Sequence, residues 1–471
     1  MANFTLKRGT IAAYVLPAIP ISAIGLPLAV YVAPYYWTHV GVPAALVSSV
    51  FLIVRLGDLF FDPVFGFVAD HTKTRWGRRR HWLVVTTPIL MLAVWMFFLP
   101  PDGASWRYMA LWVAIVYLCY SVMTIAHGAW GAELSSNYHE RSRISGAREF
   151  TLVGGMIFVL LLPTILENVW GADAAQKVAA MGWFIVLLLP LTVGIAVTSV
   201  GERDVAPHHN IDIKSAWKLL VSNRPLQRIL LTDLLFGTAT SVTASLYIVL
   251  VEHVFHLQQS STLLLIYFIA GLAGIPLWIR LSYKFGKHKA LAAAAVYAAL
   301  TLPLNLIAPH DGTGFWWLAV ANTLYGVAFG AGAFLMRSIM ADVVDQETAA
   351  SGRERMGVYF SFLVMTNKLG YAISILAYPV IEWTGFNAKR GAVNTPEALF
   401  GIQLFFILVP AVLFALAAWV MWRFPLDEKK QEELRELIAA RAEFRSRGDA
   451  EAVPSPVPQT PGTQPGPAPA E

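Results

Sequence analysis

Long apolar segments separated by short polar loops dominate the sequence. Each segment is long enough to cross a bilayer, which takes about 20 residues per helical crossing. Because lipid offers no hydrogen-bond partners to an open backbone, such segments must be helical. The pattern therefore predicts an all-α membrane protein with twelve transmembrane helices. The predicted spans are 9–36, 43–69, 82–100, 105–132, 146–168, 179–200, 227–254, 261–283, 289–308, 314–341, 355–383 and 398–424.

The composition excludes an ordinary soluble enzyme. Only 14% of the residues are charged and the mean hydropathy is +0.57, whereas soluble domains carry about 25% charged residues. The Lys and Arg residues behind the net charge of +5 concentrate in every second loop. The positive-inside rule then predicts a multi-pass plasma (inner) membrane protein with both termini in the cytoplasm. These basic loops are 70–81, 133–148, 201–228, 280–289 and 337–355.

The longest interior polar stretch divides the chain into two halves. It runs from Val200 to Gln227, between the sixth and seventh spans. We predict an N-terminal six-helix bundle, a cytoplasmic loop, a C-terminal six-helix bundle and a tail. Their bounds are 1–200, 201–226, 227–425 and 426–471. In the tail, Leu426–Arg447 is predicted to form a charged helix, and the Pro-rich remainder is predicted to be disordered.

The two halves carry matching basic turns. The sequence RWGRRR at 75–80 follows the second span, and KFGKHK at 284–289 follows the eighth. A basic–aromatic–Gly–basic pattern repeated six spans apart indicates related halves, as in many secondary transporters.

The second span contains three charged residues, Arg55, Asp58 and Asp62. Their spacing of i, i+3 and i+7 places them on one helical face. A charge at mid-membrane costs roughly 2.5–3.5 kcal/mol, and two carboxylates one turn apart repel each other. Such a pair requires a proton, a bound cation or a permanent basic partner. The pattern favours a cation or proton site, and a fixed Arg–Asp–Asp brace that holds the bundle together is the alternative.

The turn after this span carries the pattern Gly-x-x-x-Asp…Arg-x-Gly-Arg. Its residues are Gly66, Asp70, Arg75, Gly77 and Arg78. This turn resembles the gating loop of the major facilitator superfamily. Taken with Asp58 and Asp62, the turn resembles that of the glycoside–pentoside–hexuronide:cation symporters, the family of melibiose permease. The similarity runs through most of residues 5–425.

The resemblance implies a major facilitator fold and cation-coupled transport by alternating access. It implies that Asp58 and Asp62 bind the cation, that Lys368 faces them across a cavity, and that Arg148 lies near the solute. For Lys368 the alternative is an ammonium that snorkels to an interface. For Arg148 it is a surface ion pair with Glu149.

Two departures from the family pattern leave the ion and the solute open. Phe61 stands where sodium-using relatives tend to carry Asn or Thr, so one sodium ligand is missing. Ser121 in the fourth span is the candidate replacement, and without it proton coupling is favoured. The acids that read the sugar in melibiose permease are also absent, since the matching positions are Pro20–Ser22 and Thr124.

Other polar residues within the spans are weaker candidates. His127 and Trp130 lie one turn apart near Thr124 and are candidates to face a solute; a packed, hydrogen-bonded histidine is the alternative. Asp233 and Arg337 are expected to make gate or loop contacts near the cytoplasmic ends of their spans. The carboxylates near the opposite ends are expected to meet water. These are Glu252 and Glu382.

No enzyme motif is present: the sequence has no phosphate-binding loop and no Cys/His cluster with metal spacing. We therefore expect no enzyme activity, no cofactor beyond a coupling Na+ or H+, and no metal beyond a monovalent cation at Asp58 and Asp62. The expected partners are a small solute and the lipid bilayer, with no nucleic acid and a monomeric state. Sugar or glycoside symport is the leading function. Transport of a lysolipid or other amphiphile and a non-transporting membrane scaffold are the alternatives.

Overall fold

The computed structural model describes residues 6–72, 74–135, 138–202, 219–351, 356–387 and 392–425, together with residue 433. Within these residues twelve helices are long and apolar enough to cross a membrane, which confirms the predicted number of spans. Most of the predicted central loop and of the C-terminal tail lies outside the described residues, and the predicted domain boundaries stay predictions. The helices are α1 Arg8–Thr38, α2 Ala44–Ala69, α3 Arg80–Phe98, α4 Trp106–Glu133, α5 Arg143–Trp170, α6 Ala174–Ser199, α7 Arg224–His253, α8 Ser260–Phe285, α9 Lys287–Leu306, α10 Phe315–Ala349, α11 Val358–Trp383 and α12 Pro396–Trp422.

Two helix ends differ most from the prediction. Helix α6 starts five residues early, at Ala174 rather than 179, because Asp173 and Gln176 form a capping box there. Helix α10 continues to Ala349 rather than 341. Two valines of this extension, Val343 and Val344, are buried, so packing stabilises the helix beyond the end of the apolar run.

Helices α1–α6 and α7–α12 form two bundles that meet along three helix pairs. These pairs are α1 with α7, α2 with α11, and α5 with α8. Because the number of spans is even, the start of α1 and the end of α12 lie at the same end of the molecule, which we call the terminal end. The opposite end, where α1 joins α2 and α7 joins α8, is the distal end. Helices α1 and α7 have the most buried apolar stretches of the twelve described spans. The core of the protein therefore lies along this central pair.

The repeated basic turns adopt matching geometry in the two halves. Gly77 and Gly286 both have positive φ angles, of 111° and 86°, which a side chain rarely permits. In the first half, Arg78 pairs with Glu133 at the end of α4 at 2.7 Å. In the second half, Lys287 pairs with Asp342 on α10 at 2.7 Å. Each turn is therefore tied to the fourth helix of its own half.

Glycines bring α8 and α10 into backbone contact. A Cβ added to Gly330 would lie 2.3 Å from the Gly271 carbonyl oxygen, and one added to Gly326 would lie 2.4 Å from the Tyr267 carbonyl oxygen. The Gly326–Gly330 spacing is the small-xxx-small pattern through which membrane helices approach closely. Sequence reasoning did not use this spacing.

We predict that Gly330→Ala destabilises the protein by about 1–3 kcal/mol, because the methyl group must push two backbones apart. Gly194→Ala on α6 is the matched control, since nothing lies within 4 Å of its added Cβ. Thermal unfolding of the purified variants in detergent measures the difference. Equal melting temperatures for the two variants would contradict the close packing of α8 and α10.

Candidate functional site

Three charged side chains meet between α2 and α11. The Lys368 Nζ donates to Asp58 Oδ2 at 2.5 Å and also to Asp62 Oδ2. The side chains of Asp58, Asp62 and Lys368 are 10%, 23% and 27% exposed. The two carboxylates lie one turn apart on the same face of α2, so a single ammonium reaches both. Two carboxylates and one ammonium give this group of three side chains an excess of one negative charge.

Ser121 joins this group from α4. Its hydroxyl donates to Asp62 Oδ1, so the second oxygen of that carboxylate is also engaged. Phe61 packs instead against Phe65, with ring centroids 5.9 Å apart, in a small apolar cluster that includes Trp82. Among the described residues, the oxygen-bearing side chains of this group are therefore Asp58, Asp62 and Ser121.

Arg55 holds the same two helices together without pairing with either aspartate in the described structure. Its Nε donates to the Tyr117 hydroxyl at 2.9 Å, and its guanidinium donates to the Tyr371 carbonyl at 2.6 Å. The first part of α11 ends as a regular helix at Ser374, so Tyr371 belongs to the last turn, whose carbonyls lack intrahelical partners. Ser48 makes a similar bond to the Ile375 carbonyl at 2.9 Å. Side chains of α2 thus satisfy the carbonyls at the break in α11.

Tyr117 and Tyr371 are site residues that sequence reasoning missed. Tyr371 follows Lys368 by three residues, and Tyr117 precedes Ser121 by four. Both therefore share a helical face with a residue that the sequence did single out. That spacing was the available signal, but aromatic residues at such spacing are common in any packed membrane helix.

His127 and Trp130 lie in the packed interior of the first half, where both are fully buried. The Tyr14 hydroxyl of α1 donates to the His127 carbonyl at 2.9 Å, and the two rings stack at 4.6 Å. Trp130 meets the Tyr14 ring edge-on at 5.6 Å. The expectation that these residues face a solute is therefore corrected for this conformation, because α1 covers their side of α4. His127 is the packed, hydrogen-bonded histidine of the alternative interpretation.

Arg148 and Thr124 lie beside this packed region. The Arg148 Nε donates to His127 Nδ1 at 3.3 Å, and its guanidinium pairs with Glu149 at 3.3 Å. Glu149 also pairs across the halves with Arg337 on α10 at 3.6 Å. The Thr124 hydroxyl oxygen is buried and has no hydrogen-bond partner among the described residues. Arg148 thus forms the predicted ion pair with Glu149 and also a hydrogen bond to the buried His127.

The turn after α2 is organised by two glutamates that sequence reasoning missed. Glu202 accepts backbone N–H bonds from Arg78 at 2.5 Å and Arg79 at 2.8 Å, and one from Arg80. Glu133 accepts from the guanidinium groups of Arg78 and Arg79. Gly77 also lies against Glu202, since a Cβ added to Gly77 would collide with the Glu202 carboxylate. Arg75 lies over the Trp76 ring, Gly66 has no neighbour within 4 Å of an added Cβ, and the Asp70 side chain lies outside the described part of the structure.

Asp233 is buried on α7, where it accepts a 2.6 Å hydrogen bond from Thr366 on α11. This contact ties two helices of the second half, rather than a loop. Glu252 and Glu382, which were expected to meet water, are partly exposed and also make contacts with the other half. Glu252 pairs with Lys177 at 3.5 Å, and Glu382 accepts a hydrogen bond from Trp37 Nε1 at 2.8 Å. Both contacts cross between the halves.

Comparison with known proteins gives consistent matches over most of the chain. A family model described as MFS/sugar transport protein matches residues 13–428. The chain is 26% identical to the glucuronide carrier protein homolog of Escherichia coli (strain K12) over 458 residues, covering 92% of this chain and 95% of that carrier. It is 24% identical to the isoprimeverose transporter of Lactiplantibacillus pentosus over 441 residues, covering 89% of each protein.

The helix arrangement also matches solved structures. Against the crystal structure of a D-xylose-proton symporter the TM-score is 0.66 at 13% identity, covering 89% of this chain and 98% of that chain. At this identity the likeness concerns the fold alone. It confirms the predicted arrangement of twelve helices in two bundles.

Proposed function

The chain belongs to the glycoside–pentoside–hexuronide:cation symporter family of MFS/sugar transport proteins, and we propose that it couples the entry of a monovalent cation to the uptake of a sugar or glycoside. The predicted family and the predicted class, a multi-pass membrane transporter rather than an enzyme, are confirmed by the matches above. The coupling ion, the solute and the site residues are the proposed part.

The contact of Lys368 with Asp58 and Asp62 is the observation that supports cation coupling. The group carries one excess negative charge inside a membrane-spanning region, where an unbalanced charge is costly. A proton or sodium ion removes that excess and weakens the hold of the carboxylates on Lys368. A proton needs only one carboxylate oxygen. Sodium would take Asp58, Asp62 and the Ser121 hydroxyl, with further oxygens from water or the solute.

The same contact links cation binding to the movement of the two halves. Asp58 and Asp62 belong to the first half and Lys368 to the second, so the ion pairs span the interface that must rearrange during alternating access. In the empty carrier, Lys368 offsets one of the two carboxylate charges, which permits the carrier to return. When a cation takes its place, Lys368 is released toward the space between the halves, where it can donate to a solute hydroxyl or carboxylate.

The family matches favour a sugar or glycoside as the solute. The relatives named above are called a glucuronide carrier homolog and an isoprimeverose transporter, so oxygen-rich sugars are the first class to test. Hydroxyl groups suit the donors available on Lys368 and Arg148. The alternating basic loops support a terminal end in the cytoplasm and a distal end outside.

Uptake by purified protein in proteoliposomes tests this proposal. A panel of sugars, glycosides, uronides and lysolipids is offered under an imposed sodium gradient or an imposed proton gradient. We expect accumulation of one sugar-class solute under one of the two gradients. Accumulation of a lysolipid alone would establish the amphiphile alternative. Failure of every solute under both gradients, with folded protein in the vesicles, would reject the proposed function.

A further inference from the structure

We infer that two glutamates, Glu167 and Glu382, form a paired clasp that holds the distal end closed and acts as the distal gate of the transport cycle. Each reaches from the fifth helix of its own half to the first residues of the second helix of the other half. The gating role rests on the proposed alternating access. The contacts themselves do not depend on the solute or the ion.

The first clasp joins α5 to the start of α8. The Glu167 carboxylate accepts N–H bonds from Ser261 at 3.2 Å and Thr262 at 2.6 Å, and a bond from the Thr262 hydroxyl at 2.6 Å. Glu167 is only 8% exposed. The first N–H groups of a helix have no intrahelical partner and carry partial positive charge, so a carboxylate there is a strong cap. Here the cap comes from the other half of the protein.

The second clasp joins α11 to the start of α2. Glu382 accepts the N–H bond of Ala44, the first residue of α2, at 3.3 Å and the Trp37 Nε1–H bond at 2.8 Å. The Trp37 ring also stacks on Tyr378 of α11 at 4.9 Å. Helices α5 and α11 are the fifth helices of their halves, and helices α8 and α2 are the second helices. The two clasps are therefore related by the same symmetry as the repeated basic turns.

Glu167 and the nearby Glu252 each have a polar partner in their own half of the protein. Lys177, at the start of α6, lies 3.3 Å from Glu167 in its own half and 3.5 Å from Glu252 in the other. Glu252 accepts a hydrogen bond from Ser260, in its own half, at 3.1 Å. When the halves separate, Glu167 keeps Lys177 and Glu252 keeps Ser260. At the first clasp, the cross-half contacts can therefore break without leaving Glu167 or Glu252 unpartnered, which suits a gate that opens in every cycle.

Cysteine labelling in detergent tests the clasp. Each glutamate is replaced in turn, and a cysteine beside the other clasp reports the opening of the distal end. The single cysteine, Cys119, is replaced by serine to give a cysteine-free background. Ser48→Cys on α2, 1% exposed, reports in the Glu167→Ala variant, and Ser261→Cys on α8, fully buried, reports in the Glu382→Ala variant. We expect the rate of maleimide labelling to rise about tenfold in each, because losing a charged cap shifts the equilibrium toward the open distal end.

A third reporter separates gating from loosening. Val364 lies one turn from Lys368 on the same face of α11, toward the terminal end, and is 55% exposed. If the clasp is a gate, opening the distal end closes the terminal end, so labelling of Val364→Cys should fall in the same variants. Faster labelling at all three positions would mean general loosening and would overturn the inference. Unchanged distal labelling would overturn it as well.

The controls keep the experiment informative if a variant folds poorly. Glu397→Ala removes an exposed glutamate at the distal end, in the first turn of its own helix α12, and should leave every rate unchanged. Glu167→Gln and Glu382→Gln keep the side-chain shape and one acceptor oxygen, so they should fold and give smaller shifts in the same directions. An equal rise with Glu397→Ala would reject the specific role of the clasp. Labelling needs no transport, so it remains readable if no solute is ever accumulated.

Discussion

Replacing Asp62 with asparagine should abolish cation-driven accumulation of solute while the protein stays folded. Asp62 bonds both Lys368 and Ser121, so its charge is the one most closely tied to the other half and to α4. Without it, Asp58 and Lys368 balance each other permanently and no excess charge is left for a cation to neutralise. We expect uphill uptake to fall roughly 100-fold, the factor that corresponds to the cost of about 2.7 kcal/mol for a charge at mid-membrane.

Proteoliposome uptake with and without the ion gradient measures this effect. Downhill exchange of solute should survive better than accumulation, because asparagine keeps the shape of the side chain and only the ion step is lost. Asp102→Asn, in the exposed loop before α4, is the matched control and should transport normally. An Asp62→Asn protein that still accumulates solute against its gradient would remove Asp62 from the coupling site.

Replacing Lys368 with glutamine should strengthen cation binding, and it should impair transport as severely as Asp62→Asn does. The ammonium that competes with the cation is gone, and two carboxylates one turn apart repel each other. In the absence of cation, the variant should lose about 3 kcal/mol of stability, as expected when one partner of a largely buried ion pair is removed. Bound sodium or a lower pH should restore that stability, and net uptake should be lost because the empty carrier cannot neutralise its carboxylates.

The melting temperature at several sodium concentrations and pH values measures this prediction. The cation-induced rise should be larger in Lys368→Gln than in the unaltered protein, since ligand binding to the folded state raises stability by mass action. Lys287→Gln breaks a comparable 2.7 Å pair with Asp342 at the terminal end and should not change the response to cation. If Lys368→Gln responded to cation no more strongly than Lys287→Gln, Lys368 would not compete for the cation site.

Sequence reasoning succeeded where the property is local to one helix. The apolar length of each segment predicted the twelve spans, and the spacing of Asp58 and Asp62 placed both on one face of α2. It was less successful where burial depends on a partner helix. His127 and Trp130 have the spacing of solute-facing residues, yet α1 covers them. Glu382 lies near a helix end, which suggested contact with water, yet Trp37 and the start of α2 lie against it.

The sequence by itself determined the membrane-spanning all-α architecture, the repeated basic turns and the presence of charge within the second span. These follow from apolar length, helical period and the cost of charge in lipid, which need no knowledge of neighbouring helices. Only the tertiary structure decided that Lys368 sits between the two aspartates, that Arg55 binds the broken end of α11, and that Glu167 and Glu382 cap helices of the opposite half. Those contacts join residues more than 90 positions apart, and their distances depend on how the two bundles pack.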